Sequence, residues 1–374
     1  MKNEFCAPWL PSSAPDWASL LGRAVRDEHP VRIPGIGGAS VLVTGAAGFL
    51  GAEIARVLAA SGAAKIVLLD ICEQHLFEIS SDMARRGYGS RCLATLGSVC
   101  DRVLLDSVFA EHRSEIVVHA AALKHVPLME SNPIAAVATN ALGTWKVAQA
   151  AEQHGARQML LVSTDKAAAP CSIMGAGKRI AELVMLAPSR TRRAALRLVN
   201  VIGSPGSVGP LFLEQMARGG PVTVTHPGAR RWFFTSTETV RMMGEAIAEQ
   251  VRGLLLPDPG EPMRIAELAR RMVAASGRDV PIVYTELRPG EKVDEVLLGP
   301  DEQLDGSASD LLRQVTSPAR DHFESRLAAL ETAVARREGA EMLRLVGELV
   351  PGYKPGAVVR AAIQQHAEAA APLP

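Results

Sequence analysis

The run Ser163-Thr164-Asp165-Lys166-Ala167 places a hydroxyl, a carboxylate and an ammonium side by side. A carboxyl and an amine in contact can divide acid and base work when burial tunes their pKa values. Adjacent Asp–Lys pairs also occur as surface ion pairs worth little energy, so these residues alone leave both readings open. Lys178 follows, with Met174 four positions before it and one helical turn away on the same face. His119 and His125 lack the spacing of a ligand pair, and no cluster of Cys or carboxylates joins them; no metal is expected, and His119 reads as structural. Cys171 lies close by in sequence and reads as a small buried thiol.

Such residues need a strand end in a rigid frame to hold them. Residues 158–163 form a short apolar run, and the carboxyl ends of strands are where open α/β sheets bind ligands. Similar runs recur at 40–44, 65–70, 91–96, 115–119 and 195–199, alternating with helical patterns at 52–61, 73–86, 102–112, 133–154 and 175–186. This alternation predicts an α/β fold: a Rossmann-type, doubly wound parallel sheet with helices on both faces. Residues 1–38 read as a polar, proline-containing lead with a helix over 17–26, serving as an oligomer contact or mobile arm. A Rossmann domain is expected over 39–199, and a smaller C-terminal α/β substrate-binding region over 200–310, with a helix at 265–276 and a strand at 281–285. The chain reads as loop after Gly299. Residues 311–374 read as a C-terminal helical segment, with helices near 323–337 and 340–349.

The first strand runs into Thr44-Gly45-Ala46-Ala47-Gly48-Phe49-Leu50-Gly51 and then into a helix. Gly45 permits the tight turn, Gly48 a close approach of backbone to pyrophosphate, and Gly51 close packing of helix on strand. The helix N-terminus then offers N–H groups to the phosphates. Asp70 ends the second strand about 20 residues on, where a carboxylate binds ribose hydroxyls and repels a 2′-phosphate, favouring NAD over NADP. The alternative is a turn that merely joins strand to helix, with Asp70 solvated.

With 40 basic and 40 acidic residues the formal net charge is zero, which argues against nucleic-acid binding. The five cysteines are scattered, as expected of reduced thiols in the cytoplasm. Neither a signal peptide nor a stretch of about 20 apolar residues is seen, so membrane insertion is not expected.

The chain resembles the extended short-chain dehydrogenase/reductases, whose signature is Tyr-x-x-x-Lys after a Ser/Thr-bearing strand; here Met174 stands in place of the tyrosine. More narrowly, it resembles the CapD-like polysaccharide-biosynthesis group of nucleotide-sugar 4,6-dehydratases through "VLVTGAAGFLG", "HAAALKHVPLMESNP", "STDKA", "MGAGKR", "NVIGSPGSVGPLF", "GGPVTVTHP", "ELRPGEKVDEVLL" and "LVPGYKP". These runs span 41–355. The resemblance implies that NAD lies against Gly45, Gly48, Phe49, Leu50, Gly51, Asp70, Ala120, Ala121, Lys124, Asn140 and Lys178. It implies that Lys124, Asn200, Arg231, Arg288 and Glu291 bind a UDP-sugar, and that the enzyme is a cytoplasmic homo-oligomer.

The same resemblance gives the catalytic roles. Thr164 binds near the sugar 4-hydroxyl, Asp165 protonates the departing 6-hydroxyl, Lys166 takes the proton from carbon 5, and Lys178 holds the nicotinamide ribose. The implied reaction converts UDP-N-acetylglucosamine to its 4-keto-6-deoxy form, with retention at carbon 5 by analogy with Met-bearing relatives. A 4-epimerase, a 5,6-dehydratase and an inactive NAD-binding sensor are the alternatives. Three positions depart from the group's pattern: Ser98 replaces an aspartate near the adenine (Asp101 is not its equivalent), Cys171-Ser172 replace Thr-Asn, and Gly228 replaces an aspartate.

Overall fold

The computed structural model describes residues 15–23, 30–318 and 322–370. Among them, nine strands form one sheet: β1 (Ser40–Thr44), β2 (Lys65–Asp70), β3 (Cys92–Leu96), β4 (Ile116–His119), β5 (Gln158–Thr164), β6 (Arg192–Leu198), β7 (Gly253–Pro257), β8 (Gln303–Ser307) and β9 (Leu312–Thr316). Their order across the sheet is β8-β9-β7-β6-β5-β4-β1-β2-β3. The seven strands from β3 to β7 run parallel, and β9 and β8 close that edge as an antiparallel hairpin. The Rossmann-type expectation thus holds, with the order reversing between β1 and β4.

Successive strand residues point to opposite faces, and both faces here are covered. Val41, Val43, Ile66, Leu68 and Val118 pack under the helices Phe49–Ala60, Glu73–Arg85 and Ser236–Ala248. Leu42, Val67, Leu69, Val117 and Leu161 pack under Thr144–Gln153, Ile173–Leu186 and the C-terminal helices Phe323–Ala335 and Gly339–Leu349. Burial on both faces is why these strands read as nearly continuous apolar runs.

A second lobe has its own core of Ile202, Phe212, Met216, Val222, Val224, Phe233, Leu268 and Met272. It comprises the helices Val208–Ala217 and Ile265–Ser276 and the parallel pair Val222–Val224 with Ile282–Tyr284.

Several expectations need adjustment. The lead helix is Trp17–Leu21, ended by Gly22 in the left-handed conformation. It docks on the second lobe of its own chain: a Cβ on Gly203 would lie 2.5 Å from Trp17 Nε1, and Arg23 donates to Glu238 and the Phe233 carbonyl. Ile33 and Ile36 are buried in the main core, so residues 31–38 belong to the sheet domain. The boundary at 200 is also not clean, because the Ser236–Ala248 helix and β7 return to the sheet before the chain re-enters the second lobe. The stretch after Gly299 contains the β8–β9 hairpin, whose polar outer strand carries no alternating apolar signal. The helix expected over 133–154 is divided by a π-helical turn at Ala138–Gly143.

Candidate active site

Strand β5 delivers the reactive run. Thr164 ends the strand and caps a short turn at Asp165–Ala167, and the helix Ile173–Leu186 starts after Ser172, whose hydroxyl accepts from the Gly175 N–H. A Cβ on Gly175 would lie 2.6 Å from the Lys166 carbonyl oxygen, so this glycine lets the helix press against the Asp165–Ala167 turn. That contact holds the helix bearing Met174 and Lys178 against the turn bearing the Asp–Lys pair.

Asp165 is 0% exposed. Its Oδ1 accepts from Thr164 Oγ1 at 3.0 Å and from Lys166 Nζ at 3.0 Å, while its Oδ2, also buried, accepts no hydrogen bond. A buried carboxylate oxygen without a donor costs stability, and an exception of this kind calls for an explanation. Lys166 Nζ reaches Asn200 Oδ1 at 3.4 Å and Glu295 Oε1 at 3.6 Å. Burial by itself lowers the Lys166 pKa, but Asp165 and Glu295 outweigh it and hold the amine above its usual value.

Lys178 is buried, and its ammonium donates to the Val162 carbonyl at 2.6 Å. Desolvation brings its pKa down to about 8, against a smaller opposing pull from Glu182. Met174, one turn earlier, is buried and brings no titratable proton.

His119 is fully buried, with Nδ1 2.6 Å from Thr44 Oγ1 and Nε2 3.0 Å from Thr144 Oγ1. The Thr144 hydroxyl donates to the Asn140 carbonyl at 2.8 Å, so it accepts from His119 Nε2–H, and Nδ1 accepts from Thr44. Desolvation, with the Lys178 charge nearby, drives the His119 pKa to about 3 and keeps the ring neutral. It ties β1 and β4 to the π turn, a structural task.

The glycine turn is a tight cradle. Gly45 has φ +65°, and a Cβ there would lie 2.5 Å from the Ala121 nitrogen; a Cβ on Gly51 would lie 2.0 Å from the Gly45 carbonyl oxygen. Gly48 is the N-cap of the next helix and offers no side chain to its N–H groups, leaving Phe49 and Leu50 to open it. Ala120 continues the β4 end, its N–H donating to the Thr44 carbonyl. Asp70 accepts from the Ala47 N–H at 2.9 Å and the Cys72 N–H at 3.0 Å, which places its carboxylate beside the turn.

Other expected site residues are drawn toward the protein. Asn140 is buried and spends its amide on the Leu123 N–H and carbonyl, so it positions the loop after β4 rather than lining the cleft. Lys124 donates to the Pro205 carbonyl, and burial lowers its pKa. The Arg231 guanidinium binds the carbonyls of Arg230, Lys292 and Val293, fastening the segment that carries Glu295. Arg288 and Glu291 pair with each other at 2.6 Å. Cys171 is exposed, contrary to the buried thiol expected, because it sits in the bend before the helix; its Sγ contacts the Gly290 carbonyl at 3.3 Å. Ser172 caps the helix, Ser98 accepts from the Cys100 N–H and Asp101 caps the helix Arg102–His112.

Sequence reasoning missed Glu295, whose side chain is 4% exposed and faces Lys166. Its signal was an acid four positions after Glu291 in the quoted "ELRPGEKVDEVLL".

This geometry has the features of a dinucleotide-binding Rossmann domain with an acid–amine pair at the end of a strand beside the point where the strand order reverses. The chain belongs to the polysaccharide biosynthesis protein family, which it matches over residues 41–315. It is 42% identical over 276 residues to "Probable polysaccharide biosynthesis protein EpsC" of Bacillus subtilis (strain 168), covering 71% of this chain and 46% of that one. It is 40% identical to "Capsular polysaccharide biosynthesis protein CapD" of Staphylococcus aureus, covering 70% and 45%. The chain thus spans about half the length of these two relatives. A UDP-N-acetylglucosamine 4,6-dehydratase (inverting) of Campylobacter jejuni is 28% identical, covering 71% and 79%. A UDP-glucose 4-epimerase of Rickettsia prowazekii is 30% identical, covering 70% and 78%. Among solved structures, Pen from Bacillus thuringiensis superposes with a TM-score of 0.66 at 25% identity, covering 70% of this chain and 84% of that one. Among the described residues, no helix is long and apolar enough to cross a membrane.

Proposed function

We propose that this chain is an NAD-dependent 4,6-dehydratase acting on UDP-N-acetylglucosamine. The observation that carries the reading is the buried Asp165–Lys166 pair with one carboxylate oxygen left without a donor. The glycine cradle and Asp70 fit the pyrophosphate and adenosine ribose of NAD, and Lys178 fits the nicotinamide ribose. NAD bound there supplies a reversible hydride acceptor for carbon 4 of the sugar.

The proton work falls to the chain. With Met174 in place of tyrosine, the 4-hydroxyl proton passes to Asp165, directly or through a water at Thr164. Asp165, now a carboxylic acid, gives a proton to the departing 6-hydroxyl. Lys166 takes the proton from carbon 5, acidified by the new ketone, exchanges its N–H protons with solvent, and delivers a proton to the same side, giving retention. Lys166 must be neutral to act as a base. Protonating Asp165 removes one of the two negative charges that hold the amine as an ammonium.

The test is mass spectrometry of UDP-N-acetylglucosamine incubated with the protein in heavy water. The expected product is lighter by one water and carries deuterium at carbon 5. Recovery of a 4-epimer without deuterium at carbon 5 would establish the epimerase reading instead, which the Rickettsia relative favours. Unchanged sugar, with every nucleotide sugar tried and NAD bound, would count for a sensor.

A further inference from the structure

We infer that Glu295 is the proton store that frees Lys166 to act as a base, a positioning role that rests on the dehydratase reading. Glu295 lies far from Lys166 in sequence, but Arg231 clamps its segment by the carbonyls of Lys292 and Val293. Its Oε1 is 3.6 Å from Lys166 Nζ and 3.9 Å from Arg231 Nε. Its Oε2 is buried and accepts no hydrogen bond; Lys292 Nζ stands 4.0 Å away. A side chain 4% exposed, with one oxygen bare, retains a place for a proton.

The proton balance of a site without tyrosine needs such a place. Two protons leave the sugar before any returns to carbon 5, one from oxygen 4 and one from carbon 5. Asp165 handles the first and passes it to oxygen 6, which departs as water. Lys166 begins as an ammonium, so it must lose a proton before it can take the second. The Lys166 Nζ–H bond breaks and an O–H bond forms on Glu295, leaving a neutral amine and a carboxylic acid. The amine then takes the carbon 5 proton, later delivers one of its solvent-exchanged protons to carbon 5, and recovers a proton from Glu295. No electrons are exchanged in these steps, and each group ends as it began. The groups around Glu295 are Lys166, Arg231 and Lys292, with Cys171 and Asp165 beyond them.

Glu295→Gln keeps the volume and removes the proton acceptor. Two readouts on the full chain test the idea. The first is the pKa of Lys166, followed by NMR after reductive methylation, which needs no turnover; it is expected to fall in the variant. An unmoved pKa overturns the coupling, even if no nucleotide sugar is ever turned over. The second is the split between oxidation at carbon 4, seen as reduced nicotinamide in a single turnover, and deuterium exchange at carbon 5. Oxidation is expected near the wild-type rate; below the variant's lowered Lys166 pKa, where the ammonium has no acceptor for its proton, exchange is expected to be slower by about 10²–10⁴-fold and partly restored in Glu295→Asp. Equal slowing of both steps would mean a merely structural role, and unchanged exchange would overturn the proton store. Absence of product from the wild type would defeat the dehydratase reading while the NMR result still judged the coupling.

Discussion

Two buried charge clusters sit at the end of β5, each with two acids and two bases, and they are built to opposite standards. In one, Arg197 bridges Glu182 and Glu302, and Arg179 bridges the same two acids. All four carboxylate oxygens accept hydrogen bonds, with Ser163 Oγ and the Gly299 N–H completing the set. In the other, Asp165, Glu295, Lys166 and Arg231 carry the same formal charge, yet Asp165 Oδ2 and Glu295 Oε2 accept nothing and the Arg231 fork faces main-chain carbonyls. A matched cluster fixes β6, the Ile173–Leu186 helix and the loop before β8 in one arrangement. An unmatched cluster leaves buried acceptors open, which the proposed chemistry would use for a substrate's protons. Charge in a core is thus not itself a sign of function; an unpartnered charged oxygen is what calls for an explanation.

The contrast can be broken by substitution. The largest effect on stability is expected from Arg197→Met, which leaves two buried carboxylates to share the single guanidinium of Arg179. The loss should be about 3–5 kcal/mol in urea unfolding, and a loss below about 1 kcal/mol would mean that the matched cluster is dispensable.

Lys178→Met is expected to stabilise the fold by roughly 1–3 kcal/mol at neutral pH, because burial penalises the charged amine. Its folded pKa of about 8 lies below the ordinary 10.5. The unfolded state therefore binds more protons between these values, and wild-type stability gains from this group as pH rises through that window. The variant's lead should shrink over the same range in unfolding measured against pH. A lead that stays constant would show that Lys178 is not charged against burial.

The smallest change in stability, within about 1 kcal/mol, is expected from Asp165→Asn, since Asn keeps the Oδ1 acceptor for Thr164 and Lys166 and Glu295 still balances the ammonium. Turnover should nonetheless fall by about 10²–10⁴-fold if the proposed chemistry holds. A variant crippled in stability but not in rate would reverse the assignment of the two clusters.

The parts of this architecture that depend on local sequence were readable. Gly45, Gly48 and Gly51 between a strand and a helix, with Asp70 at the next strand end, carry their conformational demands in the residues themselves. Asp165 and Lys166 are neighbours in the chain, so their contact needed no fold to foresee. The partners that arrive from afar were not readable. Glu295 meets Lys166, and Glu302 meets Arg197, only because segments beyond the second lobe fold back over the sheet. One clue did exist: Arg197 stands in the apolar strand "RRAALRL", and a buried guanidinium requires acids around it. The return of the Ser236–Ala248 helix to the sheet was hidden because an amphipathic pattern reports a buried face but not which core buries it. The exposed β8 strand carried no pattern at all.

The π turn at Ala138–Gly143 has a consequence for helical phase. A π turn accommodates one more residue than an α turn, and here the wide turn carries Asn140 toward the loop after β4 while Thr144 stays under His119. Deleting one residue from this stretch would restore α winding while the helix after it kept its phase. Thr144 would stay under His119, but Asn140 would be drawn away from the Leu123 N–H and carbonyl. The hold on the loop after β4 therefore depends on one extra residue in the turn, and lineages of this protein that lost it should anchor that loop in another way.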